Sequence, residues 1–474
     1  MQTARLDTTQ QVPADGESLT SFSAQLRAFL HEIRKATGVP GIGAGVSFEG
    51  QRIFACAGVQ SLRTAAALTE DTRFHLGCIT KWLLAAVVLE RVHEGTLDLH
   101  APLGEYLPEL KRTRIGRSVH LVHLLSHTSG YQGTNPLEPR TRSWRWDDLA
   151  DYLRAVPQFF TPGSVFNYEH SEAVILAKIL ERVTSRSSTE AIRRGIFEPL
   201  GLQAATEDLT GNARGFAGHH VLDPQKSRYR CVSAAPFSVS WRAAFSAAGI
   251  SLRELLRLSE AAMGPPSPSA GAGPVSDWVR HRLHATAVQI PRGIGGPAAE
   301  MLPVAFGLGA AVLGGGFFGN TGVAEGQCVG MRYDGTATSS VVVGINARLP
   351  HLRDFVLRAI CARLTGRDSA HGRARPFGFD LAELAGVYRG AGDARVFAAV
   401  EGPRLICSIT PRSRADGLRA ELRIDDAGRP ALHCALPQLS LGFFRRQEGD
   451  IGLMLGLNAY KRLGPDEREG ERLR

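Results

Sequence analysis

The sequence lacks long apolar stretches, and its cysteines lack the spacing of a disulfide framework or a zinc site. The longest apolar run, Trp82 to Leu89, falls far short of the roughly 20 residues that cross a bilayer. The seven cysteines are odd in number, widely spaced and without a C-x-x-C pair. We therefore expect no membrane association, no metal site and reduced thiols, the usual state in a cytoplasm.

Runs of like charge and a secretory signal are also missing. The formal net charge is +9, yet the arginines are scattered, which argues against a nucleic-acid-binding arm. The charge fits either an ordinary solvated surface or a surface for an acidic partner. The N-terminal stretch MQTARLDTTQQVPADGESL has no charged segment followed by an apolar one, so we expect a cytoplasmic location rather than export.

The chain of 474 residues, 43% of them hydrophobic, is long enough for two or three domains. Residues 1–20 are polar and predicted to be disordered. In the segment 21–365, strand patterns come from both ends, with a hairpin turn at Glu49 and Gly50, and helical patterns lie between them. The helical patterns include residues 78–94, 146–156, 172–185 and 252–264.

A change of pattern marks a second unit near the C-terminus. Residues 366–378, GRDSAHGRARPFG, have the composition of a linker, and a loop rich in Pro, Ser and Gly lies earlier at 265–274. Beyond the linker, residues 379–474 show short alternating strands such as VFAAVEG and RLICSIT. This pattern predicts a small all-β domain, a barrel.

The stretch FHLGCITKWLLAAVVLE, residues 74–90, places a thiol at the start of a predicted helix. Cys78 and Lys81 are three positions apart, so their side chains share a helix face. The helix N-terminus and the ammonium group would both stabilise a thiolate, which is the nucleophilic form of cysteine. An isolated C-x-x-K is more often a small buried cysteine beside a surface lysine. The pair alone therefore does not define an active site.

Four ordered segments give this pair a context: 74–130 with LLSHTSG, 166–202 with FNYEH and FEPLGL, 245–258 with FSAAGIS, and 319–334 with GNTG. Together they resemble the serine β-lactamase and penicillin-binding-protein family, especially class C β-lactamases and related esterases, D-peptidases and acyltransferases. The patterns of that family read F-x-x-G-S-x-[ST]-K, L-L-x-H-T-S-G, Y-x-N before a helix, S-A-G-G-L and [KH]-T-G. The resemblance implies an α/β fold over residues 21–365, with an antiparallel sheet flanked by helices and a helical subdomain. The motifs DLAELAGVY and AYKRL add a resemblance of the C-terminal domain to a lipocalin.

When the roles of the family's residues are carried over one by one, Cys78 takes the position of the nucleophilic serine. Lys81 and Tyr168 would manage the proton, with Tyr168 protonating the leaving group and deprotonating the incoming nucleophile. The backbone N–H groups of Cys78 and Val323 would form the oxyanion hole. The alternative for Tyr168 is an amphipathic residue that packs at a helix start. No cofactor and no metal are implied.

The resemblance also implies a substrate-binding or orienting role for His170, Asn320, Thr321 and Gly322. The chain departs from the family at two of them, because His170 stands where Y-x-N has Asn and Asn320 stands where H-T-G has His. We hypothesise that an imidazole and a carboxamide have traded places, although His170 alone would also fit a surface or capping position. A double variant, Asn320→His with His170→Asn, should then acylate faster than either single variant. Equal acylation rates in all three would refute the exchange.

Two other apparent motifs are set aside. His120, His123 and His127 have a spacing that metal ligands can show, but the resemblance makes LLSHTSG a structural turn. GLGAAVLGGG at 307–316 lacks the strand, the G-x-G-x-x-G spacing and the helix of a dinucleotide loop.

A cysteine nucleophile changes the expected product, because a thioester favours attack by amines over water more than an oxygen ester does. We therefore expect transfer of an acyl or peptidyl group to an amine. Among family branches, the expected location and the appended β domain fit the penicillin-binding-protein-type thioesterases, which release or cyclise nonribosomal peptides from carrier proteins. The positive net charge would favour binding of a carrier protein, because carrier proteins are usually acidic.

Two other functions stay open at this level. One is a hydrolase of esters, D-amino-acid peptides or β-lactams, which a product assay with and without an amine would distinguish. The other is a pseudoenzyme that binds acyl ligands without reacting. A serine replaced by cysteine in the laboratory would give the same sequence, and only the aminolysis argument would then fail.

Overall fold

The computed structural model describes residues 16–131, 133, 143–203, 215–223, 226–233, 238, 241–242, 248–264, 275–291, 303–336, 338–367, 379–390, 394–402, 404–410, 418–424, 430–434, 441–445, 450–455 and 458–464. The predicted loop at 265–274 and residues 368–378 of the predicted linker lie outside this part of the chain. None of the described helices has both the length and the apolar character needed to cross a membrane.

An eight-stranded antiparallel sheet forms the centre of the larger domain. The strands of this domain are β1 (Gly41–Phe48), β2 (Gln51–Gly58), β3 (Arg73–His75), β4 (His219–Asp223), β5 (Arg228–Val232), β6 (Gly249–Ser251), β7 (Val288–Gln289), β8 (Ala305–Phe306), β9 (Ala311–Val312), β10 (Phe317–Ala324), β11 (Gln327–Asp334) and β12 (Ser339–Ile345). The order in the central sheet is β2-β1-β12-β11-β10-β9-β8-β7, while β3 pairs with β6 and β4 with β5. The prediction that strands come from both ends of this domain is confirmed.

The first hairpin follows directly from its turn residues. Glu49 and Gly50 have φ angles of 47° and 81°, and two successive positive φ angles are the requirement of the tight hairpin turn that matches strand twist. Phe48 pairs with Gln51 on either side of this turn. The predicted hairpin is therefore confirmed.

Helices cover both faces of the central sheet. They are α1 (Gly16–Thr37), α2 (Ile79–His93), α3 (Leu103–Tyr106), α4 (Arg114–Ser118), α5 (Leu121–Leu125), α6 (Trp146–Ala155), α7 (Ser171–Thr184), α8 (Ser188–Ile192), α9 (Leu252–Met263), α10 (Asp277–His284) and α11 (Pro350–Thr365). Side chains of α1 and α11 form one apolar core with the sheet, and α2, α7 and α9 contribute to a second core. This arrangement confirms the predicted α/β fold, an antiparallel sheet flanked by helices, and places α2, which is buried along most of its length, at the centre of the domain.

The predicted helices agree with the structure, but one predicted boundary is wrong. Helix α1 begins at Gly16, inside the segment 1–20 that was predicted to be disordered. Polar residues are favourable in the first turn of a helix, so low hydrophobicity does not by itself exclude helix formation.

The C-terminal domain is an eight-stranded antiparallel sheet preceded by a short helix, α12 (Leu381–Leu384). Its strands are β13 (Gly386–Arg389), β14 (Arg395–Glu401), β15 (Arg404–Thr410), β16 (Leu418–Ile424), β17 (Pro430–Cys434), β18 (Leu441–Arg445), β19 (Ile451–Leu455) and β20 (Asn458–Arg462). The order is β17-β16-β15-β14-β13-β20-β19-β18, and the sheet curls into a half-barrel. The sequence patterns predicted all of these strands except β20, which begins almost immediately after β19.

The two domains share a small apolar cluster. Ala459 of β20 is buried with Phe160 and Phe166 of the larger domain, and Phe444 of β18 packs against the same cluster. The backbone N–H of Ala459 donates a hydrogen bond to Oδ1 of Asn167 at 3.0 Å. The C-terminal sheet is therefore anchored to the residue immediately before Tyr168.

Candidate active site

The turn that precedes α2 brings the Cys78 thiol to a helix N-terminus. Gly77 has φ 53°, and a Cβ atom at this position would lie 2.6 Å from the backbone nitrogen of Val323. Glycine is therefore required by both backbone conformation and space. Cys78 itself occupies the N-cap position of α2 and is half-buried.

Cys78, Lys81 and Tyr168 meet at this point, as the sequence patterns predicted. The Lys81 amine and the Tyr168 hydroxyl each hydrogen-bond with the Cys78 sulfur. Lys81 Nζ also lies 4.9 Å from the centre of the Tyr168 ring. A thiol with an amine and a phenol in contact is equipped for proton transfer at sulfur.

Burial controls the protonation of the amine and the phenol. Burial lowers the pKa of Lys81, with the neighbouring Cys78 sulfur acting in the opposite direction. Burial and the same sulfur raise the pKa of Tyr168 well above its ordinary value. The phenol therefore holds its proton, while the lysine is easier to deprotonate than an exposed one.

His170 contacts the lysine directly. Its Nδ1 atom lies 2.9 Å from Lys81 Nζ, and its ring stands edge-on to the Tyr168 ring with centroids 5.2 Å apart. Burial and the lysine charge lower the pKa of His170 well below its ordinary value, so the imidazole is neutral and Nδ1 accepts the hydrogen bond from the amine. The structure thus places His170 beside Lys81 and at the N-cap of α7, so the alternative of a capping position is confirmed, although the side chain makes no capping hydrogen bond.

The backbone of β10 approaches the turn before Cys78 so closely that two positions must be glycine. A Cβ atom on Gly322 would lie 1.9 Å from the carbonyl oxygen of Leu76, and Val323 N lies beside Gly77 as described above. Cys78 N and Val323 N thus belong to adjoining backbone segments. This is the arrangement that a pair of oxyanion-hole donors requires.

The other two residues of the N-T-G motif lie on the same strand. Asn320 donates from Nδ2 to the carbonyl oxygen of Gly309 at 3.0 Å, while its buried Oδ1 has no hydrogen-bond partner among the described residues. Thr321 is exposed. The suggested exchange between His170 and Asn320 stays a prediction, because the hydrogen bonds described here join His170 to Lys81 and Asn320 to Gly309.

His127 and Glu172 are site residues that sequence reasoning missed. His127 lies in the predicted LLSHTSG turn and has φ 56°, and its ring also packs 4.5 Å from the centroid of the Tyr168 ring. Its Nδ1 atom hydrogen-bonds with Oε2 of Glu172, a fully buried side chain of α7. The available signal was a lone glutamate at the start of the apolar run EAVILAKIL, directly after the Y-x-N-like motif.

The hydrogen bonds indicate that His127 and Glu172 form a neutral pair. The backbone N–H of Glu169 donates to Nδ1 of His127 at 3.4 Å, so that nitrogen is an acceptor and the carboxyl group supplies the shared proton. Ser129 Oγ donates to Oε1 of Glu172 at 2.5 Å. Burial raises the pKa of Glu172 well above its ordinary value, and burial with the Lys81 charge lowers the pKa of His127 to about 3.

The three histidines of the 120–127 segment do not converge on one site, because their side chains make different contacts. His123 Nδ1 accepts the backbone N–H of His120, and their rings stack with centroids 5.2 Å apart, whereas His127 turns to Glu172. Over the described part of the chain, no cluster of three or more His, Cys, Asp or Glu side chains is arranged to hold a metal ion.

Residues 26–364 match the Beta-lactamase family model. Penicillin-binding protein 4 of Amycolatopsis lactamdurans is 34% identical over 170 residues, which are 35% of this chain and 44% of that protein. Esterase EstB of Burkholderia gladioli is 30% identical over 227 residues, or 44% of this chain and 58% of EstB. The chain spans about half the length of these two relatives.

Solved structures extend the similarity. A crystal structure of SurE superimposes with a TM-score of 0.73 at 22% identity, covering 94% of this chain and 100% of SurE. A class C β-lactamase mutant gives a TM-score of 0.61 at 16% identity, covering 74% of this chain and 99% of that one. Since the family match takes in most of the chain, the protein belongs to the β-lactamase family.

The neutral His127–Glu172 pair predicts an unusual pH dependence for the variant Glu172→Gln. A raised pKa in the folded state means that the contribution of Glu172 to stability is present below 4.5, its ordinary pKa, and is lost as pH rises towards the folded pKa. Glutamine offers the same donor and acceptor but does not ionise. Relative to the parent, Glu172→Gln should therefore gain up to ~1.4 kcal/mol of unfolding free energy per pH unit above 4.5, measured by urea denaturation at pH 5 and pH 8.

Two comparisons complete this test. Glu172→Ala removes the partner of the Ser129 hydroxyl and one of the two partners of His127 Nδ1, and should lose about 1–3 kcal/mol per unsatisfied group at both pH values. Glu181→Gln changes an exposed glutamate of the same helix and should show little pH-dependent difference. If Glu172→Gln loses stability as pH rises, the pair is ionic and the neutral assignment is wrong.

The hydrogen bond between Asn167 and Ala459 predicts that the C-terminal sheet steadies Tyr168. Asn167→Ala leaves the buried N–H of Ala459 unpaired, so the unfolding free energy should fall by about 1–3 kcal/mol, and the rate of Cys78 acylation should fall with it. Thr161→Ala, at an exposed position of the same loop, is the control. Parent-like stability and acylation in Asn167→Ala would show that this contact does not position the phenol.

Proposed function

We propose that this protein is an acyl-transfer enzyme in which Cys78 forms a thioester with an acyl or peptidyl group and passes that group to an amine. The observation that carries the proposal is the contact of one sulfur with both Lys81 and Tyr168 at a helix N-terminus. A structural cysteine needs neither partner, because burial alone satisfies it. Membership of the β-lactamase family supports acyl chemistry at this position.

In the first half-reaction, Cys78 Sγ attacks the carbonyl carbon of the donor while Lys81 accepts the thiol proton. The N–H groups of Cys78 and Val323 hold the negative charge on the carbonyl oxygen. The bond to the leaving thiol or alcohol then breaks, and Tyr168 protonates that group and recovers a proton from Lys81.

In the second half-reaction, the amine attacks the thioester carbonyl and gives its proton to the Lys81–Tyr168 pair. The C–S bond breaks, the amide leaves, and the sulfur regains the proton. A thioester reacts with amines in preference to water more strongly than an oxygen ester does. The product is therefore an amide or a cyclised peptide, with hydrolysis as the competing reaction.

The donor in this proposal is an activated ester or thioester, presented in the cytoplasm by an acidic carrier protein. The net charge of +9 supports an acidic partner. All six cysteines whose side chains are described are free, which supports a reducing location. A structure of SurE includes D-Leu, so D-configured aminoacyl groups are suitable first donors, and the reaction would belong to natural-product assembly.

A hydrolase of esters, D-amino-acid peptides or β-lactams is the second candidate. It is supported by the relatives named as an esterase and as penicillin-binding and β-lactamase proteins. A pseudoenzyme is the third, although the retained Lys81 and Tyr168 argue against it.

Acylation of Cys78 tests the chemistry. After incubation with a D-leucyl N-acetylcysteamine thioester, intact mass spectrometry should show one added acyl mass on the parent and none on Cys78→Ala. Tyr168→Phe should slow acylation by about 10²–10⁴-fold, because it removes the proton donor. Cys56→Ser is the matched control, since burial raises the pKa of that half-buried thiol to about 12 and leaves it unreactive.

The variant Cys78→Ser then separates transfer from hydrolysis. It should still acylate, but with an added amine it should release a larger share of hydrolysed product than the parent, as measured by liquid chromatography. An equal share in both would remove the argument for amide formation, and a parent that takes up no acyl mass would favour the pseudoenzyme.

A further inference from the structure

The peptide unit that joins Gly322 to Val323 is bonded from both sides. Its N–H, on Val323, lies against Gly77 beside the nucleophile. Its carbonyl oxygen, on Gly322, accepts a hydrogen bond of 3.2 Å from Nη1 of Arg353 on α11. The arginine and the nucleophile therefore reach opposite ends of one amide group, although they are far apart in the sequence.

We propose that Arg353 is a positioning residue that strengthens and orients the Val323 N–H as an oxyanion donor. A hydrogen bond to the oxygen of an amide polarises the group, so that its N–H becomes a better donor. Chains of such bonds reinforce each other by about 10–30% per bond. The inference rests on the proposed function, because it assigns a partner to the proposed oxyanion hole.

The surroundings of Arg353 fix the guanidinium for this task. Its side chain is buried, with 3% of its surface exposed. Nε and Nη2 donate to the two carboxylate oxygens of Asp354 at 2.9 and 3.0 Å, which leaves Nη1 for the carbonyl of Gly322. A Cβ atom on Gly330 would lie 2.9 Å from Cδ of Arg353, so the strand β11 leaves room for the side chain to cross it.

Electrostatics gives the arginine a second link to the site. The charge of Arg353 interacts with the Cys78 sulfur as well as with Asp354. Because Asp354 largely balances the charge, the hydrogen bond to the peptide is the dominant route by which Arg353 acts. An ion pair that only stabilised α11 would not require a hydrogen bond to the carbonyl of Gly322.

The test uses the full-length protein and the D-leucyl N-acetylcysteamine thioester. The variant Arg353→Met with Asp354→Asn removes the bond without leaving an unpaired buried charge. Its acylation rate at saturation should fall about 10-fold, a fraction of the 10²–10³ that a lost oxyanion donor costs, while KM changes little. The infrared band of a ¹³C-labelled acyl carbonyl on Cys78 should move to higher wavenumber, because a weaker donor polarises it less.

Two further variants exclude a general loss of structure. Arg353→Lys, which retains one donor and the charge, should recover part of both the rate and the band position. Arg363→Met removes a buried arginine ten positions along the same helix, about 15 Å away at 1.5 Å per residue, and should leave the carbonyl band unchanged. A parent-like band and rate in Arg353→Met/Asp354→Asn would overturn the inference alone, whereas a parent that fails to acylate would overturn it together with the proposed function.

Discussion

The close approach of strand β10 to the turn before α2 is the constraint on which the site depends. Gly322 and Gly77 let two backbone segments meet where any side chain would collide with main-chain atoms. The contact brings the N–H groups of Cys78 and Val323 to one place and leaves the thiol at the tip of a buried helix. Rigid secondary structure on both sides, an eight-stranded sheet and α2, holds these donors in position before a substrate arrives.

Around this contact, burial disfavours the charged forms of Lys81, Tyr168 and His170. Negative charge near Lys81 would raise the pKa of the amine and keep it protonated, so that it could not accept a proton. The proton shared by His127 and Glu172 keeps the nearest buried carboxyl group of α7 uncharged, and neutral His170 accepts a hydrogen bond from Lys81. The proposed proton transfer to and from the sulfur requires this balance.

The sequence predicted the features that depend on local spacing, and the structure supplied those that depend on tertiary contact. Cys78 and Lys81 share a helix face wherever that helix lies, and Glu49 with Gly50 specifies its turn locally. By contrast, Glu172 is indistinguishable in the sequence from an ordinary helix glutamate, and Arg353 is one of many arginines. Their roles arise from contacts with His127 and Gly322, which no local pattern contains. The same reason explains why the contact between Asn167 and Ala459 was not foreseen.

The tyrosine shows how the two domains combine in one site. Its ring is packed by His127 and His170 of the larger domain, whereas the preceding residue, Asn167, is held by β20 of the C-terminal sheet. In the proposed mechanism the phenol donates and recovers a proton beside the sulfur, and this role tolerates little displacement, since misplacement of reacting groups by an ångström can reduce a rate about 10²-fold. In the proposed mechanism, the appended sheet therefore contributes to the geometry of proton transfer through the hydrogen bond between Ala459 and Asn167.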